Sequence, residues 1–306
     1  MLLVQAALQA TFIVLLPPLL IGVIAKTKAL IGGRKGPPIL QAYFDIAKLL
    51  RKGSVFSRTT TWVFLAGPVV AVTTTLIAAL LVPIGGGDGL VHFGGDFLML
   101  AYLLGLARFF TMAAALDTGS AFEGMGAARE ATFACLAEPA LFLGFLVLVR
   151  ATGSTSLSGF LGTGLLTAWT GAAASLVLVA AGLFIVLLAE NSRIPVDDPN
   201  THLELTMIHE VMVLDHGGPA LGLILYAAAV KLLLFAIIFV HLIVPGVPSG
   251  WMAWAADLAG VLGVAVLIGI VESSMARLKL THIPSFLVAA CLLCAFGIVL
   301  LVKGHP

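Results

Sequence analysis

The sequence predicts an all-α, polytopic membrane protein of eight transmembrane helices, with one amphipathic helix lying in the interface and both termini outside. Three observations carry this. Charged residues make up only 10% of the 306 positions and mean hydropathy is +1.14, whereas a soluble globular domain carries about 25% charged residues. The apolar residues gather in runs at about 2–25, 62–83, 96–116, 131–150, 165–189, 219–244, 251–271 and 282–303, each near the ~20 residues that cross a bilayer. The Lys and Arg residues crowd into alternate connections, which sets sidedness.

The first run has no basic segment before it and is followed by its positive charges, so it reads as a retained span rather than a secretory signal. Of 16 Lys and Arg, eight sit in the next connection: Lys26, Lys28, Arg34, Lys35, Lys48, Arg51, Lys52 and Arg58. Within it GRKGPP makes a basic turn into ILQAYFDIAKLLRK (39–52). That segment aligns Ile39, Tyr43, Ile46, Ala47 and Leu50 on one helical face and Gln41, Asp45, Lys48 and Lys52 on the other, the pattern of a helix lying in the interface. Arg129, Arg193, Arg277 and Lys279 follow in later connections of the same set, and only Arg150 and Lys303 fall on the opposite side. The connections at 26–61, 117–130, 190–218 and 272–281 are therefore cytoplasmic, in a multi-pass protein of the cytoplasmic (inner) membrane. The opposite loops, such as GGGDG (85–89) and GSTSLSG (153–159), are short and nearly uncharged. With no soluble segment, linker or internal repeat, residues 1–306 form one membrane domain, and no nucleic-acid partner is expected.

Function concentrates where charge meets this apolar background. Residues 190–218, ENSRIPVDDPNTHLELTMIHEVMVLDHGG, hold Glu190, Asp197, Asp198, Glu204, Glu210 and Asp215 with Arg193 and three histidines. A charge near lipid costs ~2.5–3.5 kcal/mol, so such a cluster faces a partner, a polar cavity or water. Asp117, Glu123, Glu130 and Glu138 form a second acidic set, and Glu272 a third position; all but Glu138 are assigned to connections or span ends. Glu138 precedes Pro139 inside an apolar run, and Lys231 lies well within the sixth span. Crowded carboxylates in a low dielectric share protons, which is the basis of a relay. The plainer accounts are a charged docking surface for these carboxylates, a solvated pairing of Arg129 with its neighbours, and snorkelling to the interface for Arg108. Arg193 and Asp197, with Pro195 stiffening the turn between them, are expected to pair and fix the loop. His202, His209 and His216 would line one side of a helix, as a pH-sensitive cluster rather than a metal site. Cys291 and Cys294 form a lone CxxC, and Cys135 stands alone, so core packing is the expected role. No metal or other cofactor is expected on this chain.

GRKGPPILQAYFDIAKLL (33–50), ARFF with LDTGSAFEGMGAAREATFACLAEPALF (107–142), ENSRIPVDDPNTHLEL (190–205) and VESSMARLKL (271–280) together resemble the membrane subunit of respiratory complex I known as NADH dehydrogenase subunit 1. The wording LDTGS with GAARE is nearer the branch found in membrane-bound nickel–iron hydrogenases, as formate hydrogenlyase subunit 4 and hydrogenase-4 component C. The resemblance spans nearly the whole chain. It implies a heel of the membrane arm on which hydrophilic large and small subunits stand, with antiporter-like subunits beside it in the bilayer. It implies iron–sulfur clusters in those partners, and it leaves their nickel–iron site and quinone binding open. By position, Glu130, Glu138, Glu190, Arg193, Asp197, Glu204, Lys231 and Glu272 match charged family positions of a coupling path, with Glu210 as a further candidate. Asp117, Arg129, Pro195 and Arg108 fall to docking or structure. The chain departs from complex I at Asn200 and His202, where further glutamates are common, and at Met212 and Val213, where a Glu-Tyr pair stands. The rival readings are a quinone-tunnel subunit of a true complex I, a free-standing ion transporter, and a purely structural anchor.

Overall fold

The computed structural model describes residues 2–197, 207–246 and 250–304, and all regular structure among them is helical. The first span is a bent pair: α1 (Leu2–Leu15) and α2 (Pro17–Ile31) meet at Leu16 with axes 46° apart. Pro17 and Pro18 lack the amide donors that would continue α1, and proline suits the first turn of a new helix. Helix α2 therefore runs on past residue 25 and carries Lys26 and Lys28 on its last turns. Seven further helices among the described residues are long and apolar enough to cross a bilayer, so the bent pair completes a set of eight.

Helix α3 (Gln41–Leu50) is the amphipathic segment, and it rests on α2 and on the sixth span without burying any residue fully. Its entry is held close to α2: a Cβ on Gly22 would lie 1.8 Å from the Ile39 carbonyl oxygen, so only glycine permits the approach. Helix α4 (Trp62–Leu81) pairs along its length with α5 (Asp96–Asp117). Asp117, at the end of α5, accepts from the Thr61 amide at 2.6 Å, the Thr61 hydroxyl at 2.8 Å and the Phe64 amide at 3.3 Å. It thereby satisfies donors that an isolated helix N-terminus leaves unpaired.

The largest departure from expectation is α6 (Ala121–Thr152), a helix of 32 residues. The cytoplasmic connection expected at 117–130 shrinks to Thr118–Ser120. AFEGMGAARE consists mostly of good helix formers, and hydropathy cannot distinguish the polar end of a helix from a loop. At about 48 Å the helix exceeds a ~30 Å hydrocarbon core, so its first turns project beyond it. The short α7 (Leu157–Phe160) is anchored by Asp96, which accepts from the Leu157 amide at 2.6 Å and the Ser156 hydroxyl at 3.0 Å. Helix α8 (Gly164–Glu190), kinked at Ala172, packs with α6 and with α11 (Ile283–Gly304). Without a hydrophobic drive between helices in lipid, close packing has to hold them. Gly182 shows how close: a Cβ there would lie 2.6 Å from Cys294 Sγ. Cys294 is fully buried in this contact, in agreement with a packing role, whereas Cys291 is partly buried and Cys135, expected in the core as well, is exposed on the outer face of α6.

Helix α9 (Gly218–Ile243) is the axis of the bundle, with α4, α2, α3, α8 and α10 (Trp251–Ser274) around it. Before it, Glu210–Val213 is a single 3₁₀ turn. His209 and His216 therefore do not share a helical face, and His202 lies outside the described residues. His216 instead stacks on Phe64, with ring centroids 3.9 Å apart.

Candidate functional site

Arg108 stands in the middle of α5 with its side chain turned into the bundle, where it is 8% exposed. It does not snorkel. Its guanidinium reaches three carboxylates: Nε lies 3.2 Å from Glu130 Oε1, Nη1 donates to Glu138 Oε1, and Nη2 donates to both oxygens of Glu190 at 2.5 and 2.6 Å. Lys231, from the axial helix α9, meets Glu190 Oε2 at 2.7 Å. Four helices thus deliver one charged group each or, in the case of α6, two that are about two turns apart. The fork of the guanidinium suits such multiple recognition, which a lysine could not reproduce. Two cations against three carboxylates leave the fully ionised cluster with one net negative charge.

A cavity of about 70 Å³ opens on this cluster, lined by Arg108, Glu130, Glu190, His209 and Lys231 on its polar side and by Ala71, Leu104 and Ile224 among others on its apolar side. A single water needs roughly 10–15 Å³ measured this way, so the cavity has room for several. His209 sits deep in the protein with part of its surface on the cavity, and burial pushes its pKa below the ordinary histidine value. Smaller cavities of about 20 Å³ continue from Glu190 toward Asp197 and toward Glu138. Glu138 has a different exposure from its partners: 46% of its side chain is open, against 4% for Glu190. It lies in the groove between α5 and α6, so the cluster reaches the outside of the bundle.

The loop after α8 is pinned, but not by the expected pair. The Arg193 guanidinium faces Glu272 at 3.5 Å, and Asp197 is bound by Arg277 at 2.8 Å. Four residues apart around Pro195, Arg193 pairs with Glu272 at the end of α10 and Asp197 with Arg277 just after it rather than with each other; the Asp197 amide bonds back to the Arg193 carbonyl, at 3.2 Å. Asp197 also accepts from the amides of Ile208 and His209 at 3.3 and 3.1 Å, so one carboxylate gathers both ends of the loop. Lys28 binds Glu272 from the other side at 2.8 Å. The Pro195 carbonyl accepts from the Leu278 amide, and Arg129 donates to the Met207 carbonyl at 2.8 Å. Glu123, expected in a loop, is buried in the first turn of α6 and accepts from the Asp215 amide at 2.9 Å.

The sequence-derived set thus divides. Glu130, Glu138, Glu190 and Lys231 come together around Arg108; Arg193, Asp197 and Glu272 form an adjoining lash; Glu210 lies in the 3₁₀ turn beside His209; and Glu204 lies outside the described residues. Arg108, assigned to structure or docking, is the hub, and its position well inside an apolar run was the available signal. His209 was visible only as part of a histidine series whose helical alignment does not exist. Among the described residues no group of three or more His, Cys, Asp or Glu could hold a metal.

A family model described as NADH dehydrogenase matches residues 4–303. Formate hydrogenlyase subunit 4 of Escherichia coli K12 is 32% identical over 290 residues, covering 90% of this chain and 91% of that one. Hydrogenase-4 component C of the same organism is 32% identical over 283 residues, covering 90% and 88%. A subunit of the NADH-quinone oxidoreductase of Flavobacterium johnsoniae is 26% identical over 269 residues, covering 79% and 74%. Among solved structures, a chain of the membrane-bound sulfane sulfur reductase, an archaeal respiratory membrane complex, superposes with a TM-score of 0.83 at 22% identity, covering 98% of this chain and 99% of that one.

Proposed function

The chain belongs to the NADH dehydrogenase family, and on that premise we propose that it is the membrane-arm subunit of an energy-converting complex of the hydrogenase or formate-hydrogenlyase type. In this reading it lies in the cytoplasmic membrane, seats hydrophilic large and small subunits on its basic end, and passes protons or strain to antiporter-like subunits beside it. The partners carry the iron–sulfur and any nickel–iron centres. The observation that carries the proposal is Glu138: a carboxylate bound to the buried Arg108 yet half open on the bundle surface. Charge that opens toward lipid is costly even when paired, so a neighbouring subunit that covers Glu138 and takes over its proton accounts for it.

Charge moves through the cluster by simple competition. Arg108 holds Glu130, Glu138 and Glu190 together, and a proton arriving on one of them loosens its hold on that carboxylate and strengthens the other two. The lash of Asp197, Arg277, Glu272 and Arg193 joins the cluster to the loop on the basic end, where a docked partner would push on it. The inner cavity suits water better than a quinone headgroup, since one wall is occupied by Arg108, Glu130, Glu190 and Lys231, and no step here runs through a quinone.

Replacing Glu138 by Gln preserves volume and removes the titrating group. In proteoliposomes of the assembled complex, the variant is expected to keep its redox turnover while ion pumping per electron falls. Undiminished pumping would favour a purely structural anchor.

A further inference from the structure

The end of the bundle opposite the basic connections holds a second charged site, unconnected with the first. His241, on the last turn of α9, has Nε2 2.9 Å from Asp257 Oδ1, and Asp257 Oδ2 accepts the Gly85 amide at 2.6 Å. Asp257 is 5% exposed. A cavity of about 260 Å³ opens beside the pair, lined by Gly86, Asp88, Ser158, Thr163, His241 and Asp257 among others. We propose that this cavity is a proton-binding site for the outer aqueous phase, with the His241–Asp257 pair as its acceptor.

Both Asp257 oxygens accept hydrogen bonds, one of them from an amide that can only donate. With Asp257 ionised, the bond from His241 is Nε2–H to carboxylate, which leaves the Nδ1 lone pair free, and Nδ1 makes no hydrogen bond among the described residues. A hydronium ion in the cavity can transfer its proton to Nδ1 and leave as water. The resulting imidazolium keeps its Nε2–H on the Asp257 carboxylate, which stabilises the new charge. The elements packed round His241 add little else that is charged. The α4–α5 connection contributes Asp88, α10 contributes Asp257, and the α7 region brings only the hydroxyls of Ser158 and Thr163. From α8 the Trp169 indole is bound to the Leu242 carbonyl at 2.9 Å. One neutralisable carboxylate besides Asp257 therefore faces the histidine, and among the described residues no lysine or arginine lines the cavity to oppose its charging.

The site is not the far end of the Arg108 cluster. Lys231 and His241 are on one helix, about 15 Å apart along its axis, and Leu232, Leu233, Leu234, Phe235, Ile237 and Ile238 between them are each no more than 4% exposed. That stretch of α9 offers no titrating side chain between the two sites, so under the proposal a proton taken at His241 equilibrates with the outer face.

Histidine ordinarily changes charge between about pH 5 and 8, so the test is an infrared titration of the assembled complex in oriented proteoliposomes, with pH changed on one side at a time. An imidazole protonation band that follows outer pH, is lost in His241→Gln and persists in Glu138→Gln is the expected result, and it stands whether or not Glu138 couples to pumping. Should His241→Gln fail to assemble, Thr163→Trp, which fills the cavity without touching the pair, is expected to slow the appearance of the band after an outer pH step. A band that follows only cytoplasmic pH, an unchanged titration in His241→Gln, or an unaltered rate in Thr163→Trp would each overturn the proposal.

Discussion

Among single residues, Arg108 and Lys231 differ in what their loss leaves behind. Arg108 balances three carboxylates, whereas Lys231 touches only Glu190, which would still hold Arg108 by two bonds. Breaking a buried ion pair by removing one partner costs ~3–5 kcal/mol. Arg108→Met is therefore expected to lower the yield and thermal midpoint of the assembled complex sharply, and Lys231→Met to leave assembly near normal while reducing pumping per electron. Equal losses in the two variants would contradict the hub assignment. His209 and His216 add a pH dependence, since burial holds both below the ordinary histidine value. Between the native and unfolded values the unfolded chain binds more protons, so stability rises with pH. It is complete above the unfolded value near 6.5 and declines as pH falls below it. Thermal unfolding at several pH values checks this: His209→Gln should flatten the acid side of the profile, and an unaltered slope would count against the buried placement.

At the scale of elements, the spans were legible because lipid demands long apolar helices, and the interfacial α3 was legible from its two-faced pattern. The polar end of α6 was not, because Ala121–Glu130 is helical by propensity but polar by hydropathy. Nor were the loop contacts, because Arg193–Glu272 and Asp197–Arg277 join segments far apart in sequence, and charge alone does not choose among many available partners. The observed pairing changes what mutation should do. Asp197→Ala removes the acceptor for Arg277 and for the Ile208 and His209 amides together. Arg193→Ala removes a 3.5 Å pair from a Glu272 that keeps Lys28 at 2.8 Å. Amide hydrogen exchange over 207–213 should accelerate far more in Asp197→Ala. Comparable acceleration in Arg193→Ala would favour a direct pair between Arg193 and Asp197.

For the molecule as a whole, sidedness rests on charge rather than on packing, since an all-helical bundle fits a bilayer equally well in either direction. The connection 32–61 brings together Arg34, Lys35, Lys48, Arg51, Lys52 and Arg58, while the opposite connections 82–95 and 153–163 contain no lysine or arginine. The positive-inside rule predicts that the basic end is cytoplasmic, and with it the Asp197 lash and the inner cavity, which would leave His241 and Asp257 facing outward. Ser54 and Val91 are both exposed, one at each end. A cysteine at position 91, in a chain whose three native cysteines have been replaced, is expected to react with an impermeant thiol reagent on intact cells, and one at position 54 only after the membrane is opened. The reverse pattern would put the Arg108 cavity and the docking face on the outer side. It would remove the cytoplasmic seat for the hydrophilic subunits and turn the His241 site toward the cell interior, so a single labelling experiment decides the orientation on which both functional readings depend.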